Sequence, residues 1–311
     1  MRRSDVPPRD RRRYDGRQPP SEPVLNYRHS FHAGNFADLF KHVALLRALD
    51  LAMSDPAPLL VVDTHAGAGR YRLSAEALAN GEAVAVRRLL DAEDAPSVFD
   101  PLKQRLVVQD GSLVYPGSPL LAVAKLRADD RLIACELRQD DGADLSTALR
   151  PYRPRAEFRL ADGYAALVPA LRAWPGRALA LIDPPFERGD DYVNIAEVVR
   201  AALAARPGAA FLIWAPLKDL ETFDSLVRAI EAGVSAPGLA AELRLRPPLD
   251  PLRLNGCGLL VINLPGPSMR SALEEAGAWI AATLGEPGAG VRIRHLATAK
   301  KGGAQQRAPR L

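Results

Sequence analysis

Apolar positions fall into two rhythms that alternate along the chain. Between Phe36 and Met53 the residues Phe36, Leu39, Phe40, Val43 and Leu46 recur every three or four positions, the spacing of one helical face. Then Leu59-Leu60-Val61-Val62 runs unbroken into Asp63 and a glycine-bearing loop, which predicts a strand buried on both faces and ending in a tight turn. Further apolar runs at Arg131–Leu137, Phe158–Ala161, Ala178–Ile182, Ala209–Trp214 and Gly258–Leu264 predict more strands. Helical stretches lie between most of them, around 120–127, 140–149, 163–173, 190–205, 220–231 and 270–284. Strand and helix in turn predict an α/β fold, a doubly wound and mostly parallel sheet. One interval breaks the rhythm. About sixty residues separate Gly67–Gly69 from Arg131, where a plain crossover needs roughly a dozen. Segment 72–114 is therefore expected to be a small inserted helical subdomain within a domain spanning 24–298.

The ends follow neither rhythm. Residues 1–23 are rich in Arg and Pro without periodicity, so they read as a disordered basic extension unable to build a core. Val24 is expected to mark the native start. Residues 299–311 read as a second basic disordered tail. Hydrophobic residues make up 48% and charged residues 25%, ordinary values for a soluble globular protein. The net charge of +4 tilts mildly toward polyanionic partners. Cys135 and Cys257 both sit inside apolar runs, which excludes a CxxC metal site and suits a reducing compartment. No apolar stretch approaches the roughly 20 residues that span a bilayer, and the first 23 residues lack the apolar core of a secretory signal. A cytoplasmic monomer without membrane contact is expected.

Four constellations bear on chemistry. The stretch DTHAGAGR (Asp63–Arg70) stands where the first strand ends, the edge at which such sheets bind ligands, and its small residues admit close backbone approach. It is not GxGxxG and no Lys-Ser/Thr follows, so dinucleotide and nucleoside-triphosphate readings lose ground. Glu136 ends the run Leu132-Ile133-Ala134-Cys135, where an acidic residue can accept two ribose hydroxyl hydrogens. Asp162-Gly163 stands at another strand end, able to read an adenine edge. Asp183-Pro184-Pro185-Phe186 directly follows the strand Ala178–Ile182. Pro cannot continue a central strand, so the chain leaves the sheet here, stiffened by two rings. The Asp183 carboxylate and its neighbouring carbonyl then stand as fixed acceptors, and two acceptors about 3 Å from an exocyclic amine can take both its hydrogens. Phe186 offers a face on which a flipped base can stack. An adenine amino lone pair is delocalised into its ring. Accepting its hydrogens favours the electron-rich nitrogen that attacks a sulfonium methyl. No metal is required, and the early histidines lack the Cys ligands that zinc usually adds.

The tetrad resembles the (D/N)PP(Y/F) motif of amino-group methyltransferases. The remaining motifs narrow this. Asn26–Asn35 (NYRHSFHAGN) with Asp38, Lys41 and His42, then DTHAGAGRY (Asp63–Tyr71), YPGSP (Tyr115–Pro119), Asp162-Gly163 and Asp183–Phe186 are similar, in the same order, to the bacterial 23S ribosomal RNA adenine-N6-methyltransferase J family. The resemblance runs from about Leu25 to Leu264. It implies a Rossmann-like class I methyltransferase with S-adenosylmethionine as cofactor and 23S rRNA, protein-free or in an early assembly intermediate, as partner. It implies that His42, His65, Gly67, Ser118, Glu136, Asp162, Gly163 and Asp183 line the cofactor pocket. Asp183 is then the catalytic acceptor, with Pro184 and Phe186 shaping its turn. Tyr27 and His29 belong to a tail closing over the substrate base, with Lys41 nearby, and the insert helps grip RNA. The family often has Tyr where Phe186 stands. A DNA adenine methyltransferase would share this pocket but carry a separate duplex-recognition region, and none is evident. An inactive RNA-binding protein would not need Asp183, Glu136 and the glycine loop together.

Overall fold

The computed structural model describes residues 33–187, 189–217, 221–247, 254–264 and 266–297. Its centre is strand β1 (Leu59–Asp63), all five residues of which are buried. β1 pairs in parallel with β5 (Arg131–Glu136) on one side and β7 (Arg177–Ile182) on the other. β6 (Ala156–Leu160) extends the sheet beyond β5, and β8 (Ala210–Pro216) extends it beyond β7. Three more strands follow β8: β10 (Gly256–Ile262), β9 (Gly238–Arg244) and, at the edge, β11 (Gly290–His295), all in antiparallel pairs. The eight-stranded order β11-β9-β10-β8-β7-β1-β5-β6 confirms the doubly wound α/β reading.

Unbroken apolar runs work here because both faces are covered. Leu59 and Val61 of β1 enter one core, Leu60 and Val62 the other. α1 (Phe36–Ala52), α5 (Ser118–Val123), α6 (Gln139–Leu149) and α10 (Pro267–Leu284) cover the first face. α7 (Gly163–Ala173), α8 (Asp191–Ala205) and α9 (Glu221–Gly233) cover the second. α1 begins at Asn35, whose side chain accepts from the Asp38 N–H, while the Asp38 carboxylate reaches back to the Gly34 N–H. Its apolar face is not a stripe: Asp38, Lys41 and His42 are buried along with the aliphatic residues.

One expectation is corrected, and two strands were not foreseen. The insert is not purely helical. α2 (Ala75–Asn80), α3 (Val84–Asp91) and α4 (Asp100–Lys103) are joined by a three-stranded antiparallel sheet in the order β2 (Arg70–Leu73), β4 (Ser112–Pro116), β3 (Val107–Gln109). The β4 strand leads directly into Gly117 and α5, so the insert is hydrogen-bonded to the glycine loop it leaves: Gly117 N–H donates to Gly69 O. Phe99 packs edge-on against Trp279 of α10 at 5.1 Å, which ties the insert into the first core. β9 and β11 are the strands that the apolar runs do not announce.

Candidate active site

The carboxyl ends of β1, β5, β6 and β7 come to one edge of the sheet, at the switch point where the chain turns either way from β1. There Asp63 and the loop after it face the tip of β5. Gly67 has φ of +60°, and a Cβ at that position would meet Tyr71 Oη at 2.3 Å, so only glycine fits on both counts. The Gly67 N–H donates to Glu136 Oε2 at 2.9 Å. Oε1 accepts from the backbone N–H groups of Leu137 and Arg138, both at 2.8 Å. Burial raises the Glu136 pKa above the usual carboxylate value, only partly offset by these donors. The Glu136 carboxylate thus staples the glycine loop to β5, with both lone pairs of Oε1 engaged and one on Oε2 left to offer.

The tetrad stands across β1. Asp183 Oδ2 accepts from Lys41 Nζ at 2.6 Å, and the same ammonium meets Asp38 Oδ1 at 2.9 Å. Burial pulls the Lys41 ammonium toward neutrality, but Asp183 and Asp38 outweigh it and hold its pKa well above the ordinary lysine value. Lys41 therefore stays charged. The turn is tight enough to put Phe186 at φ +53°, a left-handed conformation that a bulky residue adopts only under constraint. Its half-buried ring packs 4.9 Å from Tyr192 and 5.7 Å from Trp214.

Between these lie the histidines and Ser118. The Thr64 hydroxyl has one hydrogen and donates it to Leu181 O at 2.9 Å. Its contact with His65 Nδ1 at 2.8 Å then requires that nitrogen to be the donor, so the neutral ring carries its proton on Nδ1. His65 stands edge-on to Tyr164, whose hydroxyl donates to Asp191. His42 Nδ1 and Tyr115 Oη are 2.7 Å apart with stacked rings. Ser118, the first residue of α5, donates to Asp63 Oδ2 at 2.6 Å.

Every described member of the expected site lines one cavity of about 1300 Å³: Lys41, His42, His65, Gly67, Ser118, Glu136, Asp162, Gly163, Asp183, Pro184 and Phe186. The insert contributes Glu82, Val84 and Ala85 to its rim. Tyr27 and His29 lie outside the described residues. Two roles look different in three dimensions. Asp162 Oδ1 caps α7, accepting from the N–H groups of Tyr164 at 2.8 Å and Ala165 at 3.4 Å. A Cβ on Gly163 would stand 1.9 Å from Thr64 O, so this glycine is required by the contact of α7 with the end of β1. The sequence reading missed two links: Lys41 with Asp183, 142 positions apart, and Asp63 with Ser118, 55 apart. Buried Asp38 and Lys41 within an otherwise apolar helix were the available signal for the first. Among the described residues no group of three or more His, Cys, Asp or Glu side chains is placed to hold a metal ion.

A doubly wound sheet with a ligand cavity at its switch point, walled by an Asp-Pro-Pro-Phe turn and an acidic strand tip, defines a Rossmann-like methyltransferase. Comparison with known proteins makes this specific. The family described as "Ribosomal RNA large subunit methyltransferase D, RlmJ" matches residues 56–297, and the chain belongs to that family. Ribosomal RNA large subunit methyltransferase J of Escherichia coli (strain K12) is 33% identical over 247 residues, 78% of this chain and 88% of that protein. The protein of the same name from Haemophilus influenzae is 30% identical over 273 residues, covering 86% and 96% respectively. The crystal structure of protein LPL1258 from Legionella pneumophila superposes with a TM-score of 0.75 at 30% identity, over 86% of this chain and 99% of that one.

Proposed function

We propose that the chain transfers the methyl group of S-adenosylmethionine to the exocyclic N6 amine of an adenine in 23S ribosomal RNA, acting in the cytoplasm on protein-free RNA or an early assembly intermediate. The observation that carries this reading is the Asp183 carboxylate, held by Lys41 at the end of β7 against the cavity. The cavity volume, about 1300 Å³, exceeds the roughly 300–1,000 Å³ of common small-molecule sites. It has room for a cofactor and a flipped base together.

The donor set fits the cofactor. Glu136 offers an acceptor for a ribose hydroxyl, Asp162 and the Gly163 backbone flank an adenine edge, and His42, His65, Gly67 and Ser118 line the remaining wall. When bound, S-adenosylmethionine would supply an electrophilic methyl group on a sulfonium centre, with the thioether as leaving group. Asp183 and the neighbouring backbone carbonyl would accept hydrogen bonds from the amine and direct its lone pair, and the one proton that the methylated nitrogen sheds would leave to water. Lys41, its pKa held well above the ordinary lysine value, fixes Asp183 in one rotamer through the 2.6 Å contact without itself taking a proton. Phe186 gives the base an apolar face.

Nucleoside mass spectrometry after incubating the protein and S-adenosylmethionine with unmethylated, protein-free 23S rRNA tests this, with duplex DNA in parallel. N6-methyladenosine in the RNA alone is expected; modification confined to DNA overturns the substrate, and modification of neither excludes protein-free RNA and leaves an early assembly intermediate, on which the same assay decides the reading. Asp183→Ala should lower kcat by about 100-fold or more while cofactor affinity changes little.

A further inference from the structure

Asp63 takes no part in that reaction. It is 1% exposed and stands at the end of β1 beneath the cavity wall. We propose that Asp63 is a positioning residue that makes Ser118 an obligate hydrogen-bond acceptor, so that the wall at Ser118 selects the α-ammonium of the methionine moiety of the cofactor. This rests on the reading of the cavity as an S-adenosylmethionine site.

The argument is one of hydrogen counting. A serine hydroxyl has one hydrogen and two lone pairs, whereas an ionised carboxylate only accepts. The 2.6 Å contact from Ser118 Oγ to Asp63 Oδ2 is a short, charge-assisted bond that takes that hydrogen. What Ser118 shows the cavity it lines is then lone pairs alone. A hydroxyl or amide elsewhere on the wall can rotate to suit donor or acceptor; this one cannot. Behind it lies a buried negative charge with capacity to spare. Asp63 Oδ1 is buried and makes no hydrogen bond of normal geometry among the described residues, with the nearby His65 N–H giving only weaker relief. A cationic donor at Ser118 meets both the lone pairs and this field.

The groups around Asp63 set when this holds. Burial pushes its pKa up to about 7; the Ser118 hydrogen bond pulls it down, Asp183 at the end of β7 pushes it up, and Lys41 on α1 pulls it down. Cys135 on β5 also faces it, its own thiol pushed up first by burial and then by Asp63. Below about pH 7 a protonated Asp63 can itself donate to Ser118, whose hydrogen is then freed to point into the cavity, and the preference for a donor is lost. A cationic ligand at Ser118 pulls Asp63 toward its ionised form, so ammonium recognition strengthens as pH rises through the neutral range.

Calorimetric titration with S-adenosylhomocysteine, and with the analogue lacking its α-amino group, reads this as a ratio of two Kd values. For the wild type at pH 7.5 the amino compound is expected to bind about tenfold tighter or more, the worth of one hydrogen bond to a charged group. The ratio should shrink several-fold by pH 5.5, over a range where the ligand amine stays largely cationic. Asp63→Asn keeps the shape of the side chain and removes its charge. It should bring the ratio at pH 7.5 down to about the wild-type value at pH 5.5 and abolish its pH dependence, which titration of His42 or His65 would leave in place. A wild-type ratio that does not change with pH, or an Asp63→Asn ratio that still does, overturns the proposal. Should that variant not fold, Ser118→Ala decides: an undiminished ratio refutes recognition at Ser118. Failure of the wild type to bind S-adenosylhomocysteine at any pH would instead refute the cofactor reading itself.

Discussion

Asp63 illustrates how one residue can serve the site at the expense of the fold. Its pKa rises from 3.8 to about 7 because burial penalises the charge, a penalty that Ser118 and Lys41 only partly relieve. The folded protein without cofactor therefore holds a proton between about pH 4 and 7 that the unfolded chain has released. Stability attributable to this group falls as pH rises across that window, and the whole penalty is present above about pH 7. Asp63→Asn should accordingly stabilise the cofactor-free protein at pH 8 by about 2–4 kcal/mol, with a much smaller gain at pH 4.5. Calorimetric unfolding at both pH values checks this, and an equal gain at each would assign the effect to packing rather than charge. Asp183 was legible in the sequence because two prolines mark the exit from an apolar run. Its partner Lys41 was placed only in the neighbourhood, because the ion pair closes across 142 positions; the polar residues set into the apolar spacing of α1 hint at a buried charge but not at its partner.

At the scale of elements, the legible part of the fold is the part buried on both sides. β1, β5, β7 and β8 carry unbroken apolar runs because helices cover each face, and the runs end where the site begins. β9 is built of Gly, Ala, Leu, Glu and Arg, residues mostly poor in strand propensity, and is held as a strand by its neighbours β10 and β11. β11 alternates Val and Ile with Arg, as an edge strand does to discourage further pairing, and so reads as polar. The insert was misread as helical because its strands are three to five residues long and carry exposed Arg, Val and Gln. The junction of α7 with β1 was read as ligand chemistry when it is also a matter of space. Gly163→Ala would drive a Cβ into Thr64 O and force the start of α7 away from the sheet. A loss of about 1–3 kcal/mol in urea unfolding is expected. A weakened Kd for S-adenosylhomocysteine should accompany it, because Thr64 and Asp162 flank the same contact. Unchanged stability would show that the helix can shift freely and that the glycine serves the ligand alone.

For the molecule as a whole, charge is distributed against the simplest picture of an RNA-binding enzyme. Of 41 Lys and Arg and 37 Asp and Glu in the chain, residues 1–23 hold seven basic and four acidic, and residues 299–311 hold four basic and none acidic. Residues 24–298 are left with 30 basic against 33 acidic. The insert that was expected to help grip RNA has five basic and seven acidic residues across 72–114. Phosphate neutralisation sets the salt dependence of nucleic-acid binding, with a slope near −0.7 per contact for single strands. On this distribution the excess positive charge of a chain starting at Val24 lies in residues 299–311, and the insert acts by shape at the rim of the cavity. Removing residues 299–311 should then weaken 23S rRNA binding at low salt and flatten the plot of log affinity against log salt by up to about 2–3 units, for four lost cations, while S-adenosylhomocysteine binds as before. Filter binding across a salt series on the full chain and the shortened one measures this. If the slope is unchanged, RNA is held instead by local basic side chains on the 24–298 body, and charge reversal at Arg87, Arg88 or Arg246 becomes the way to find them.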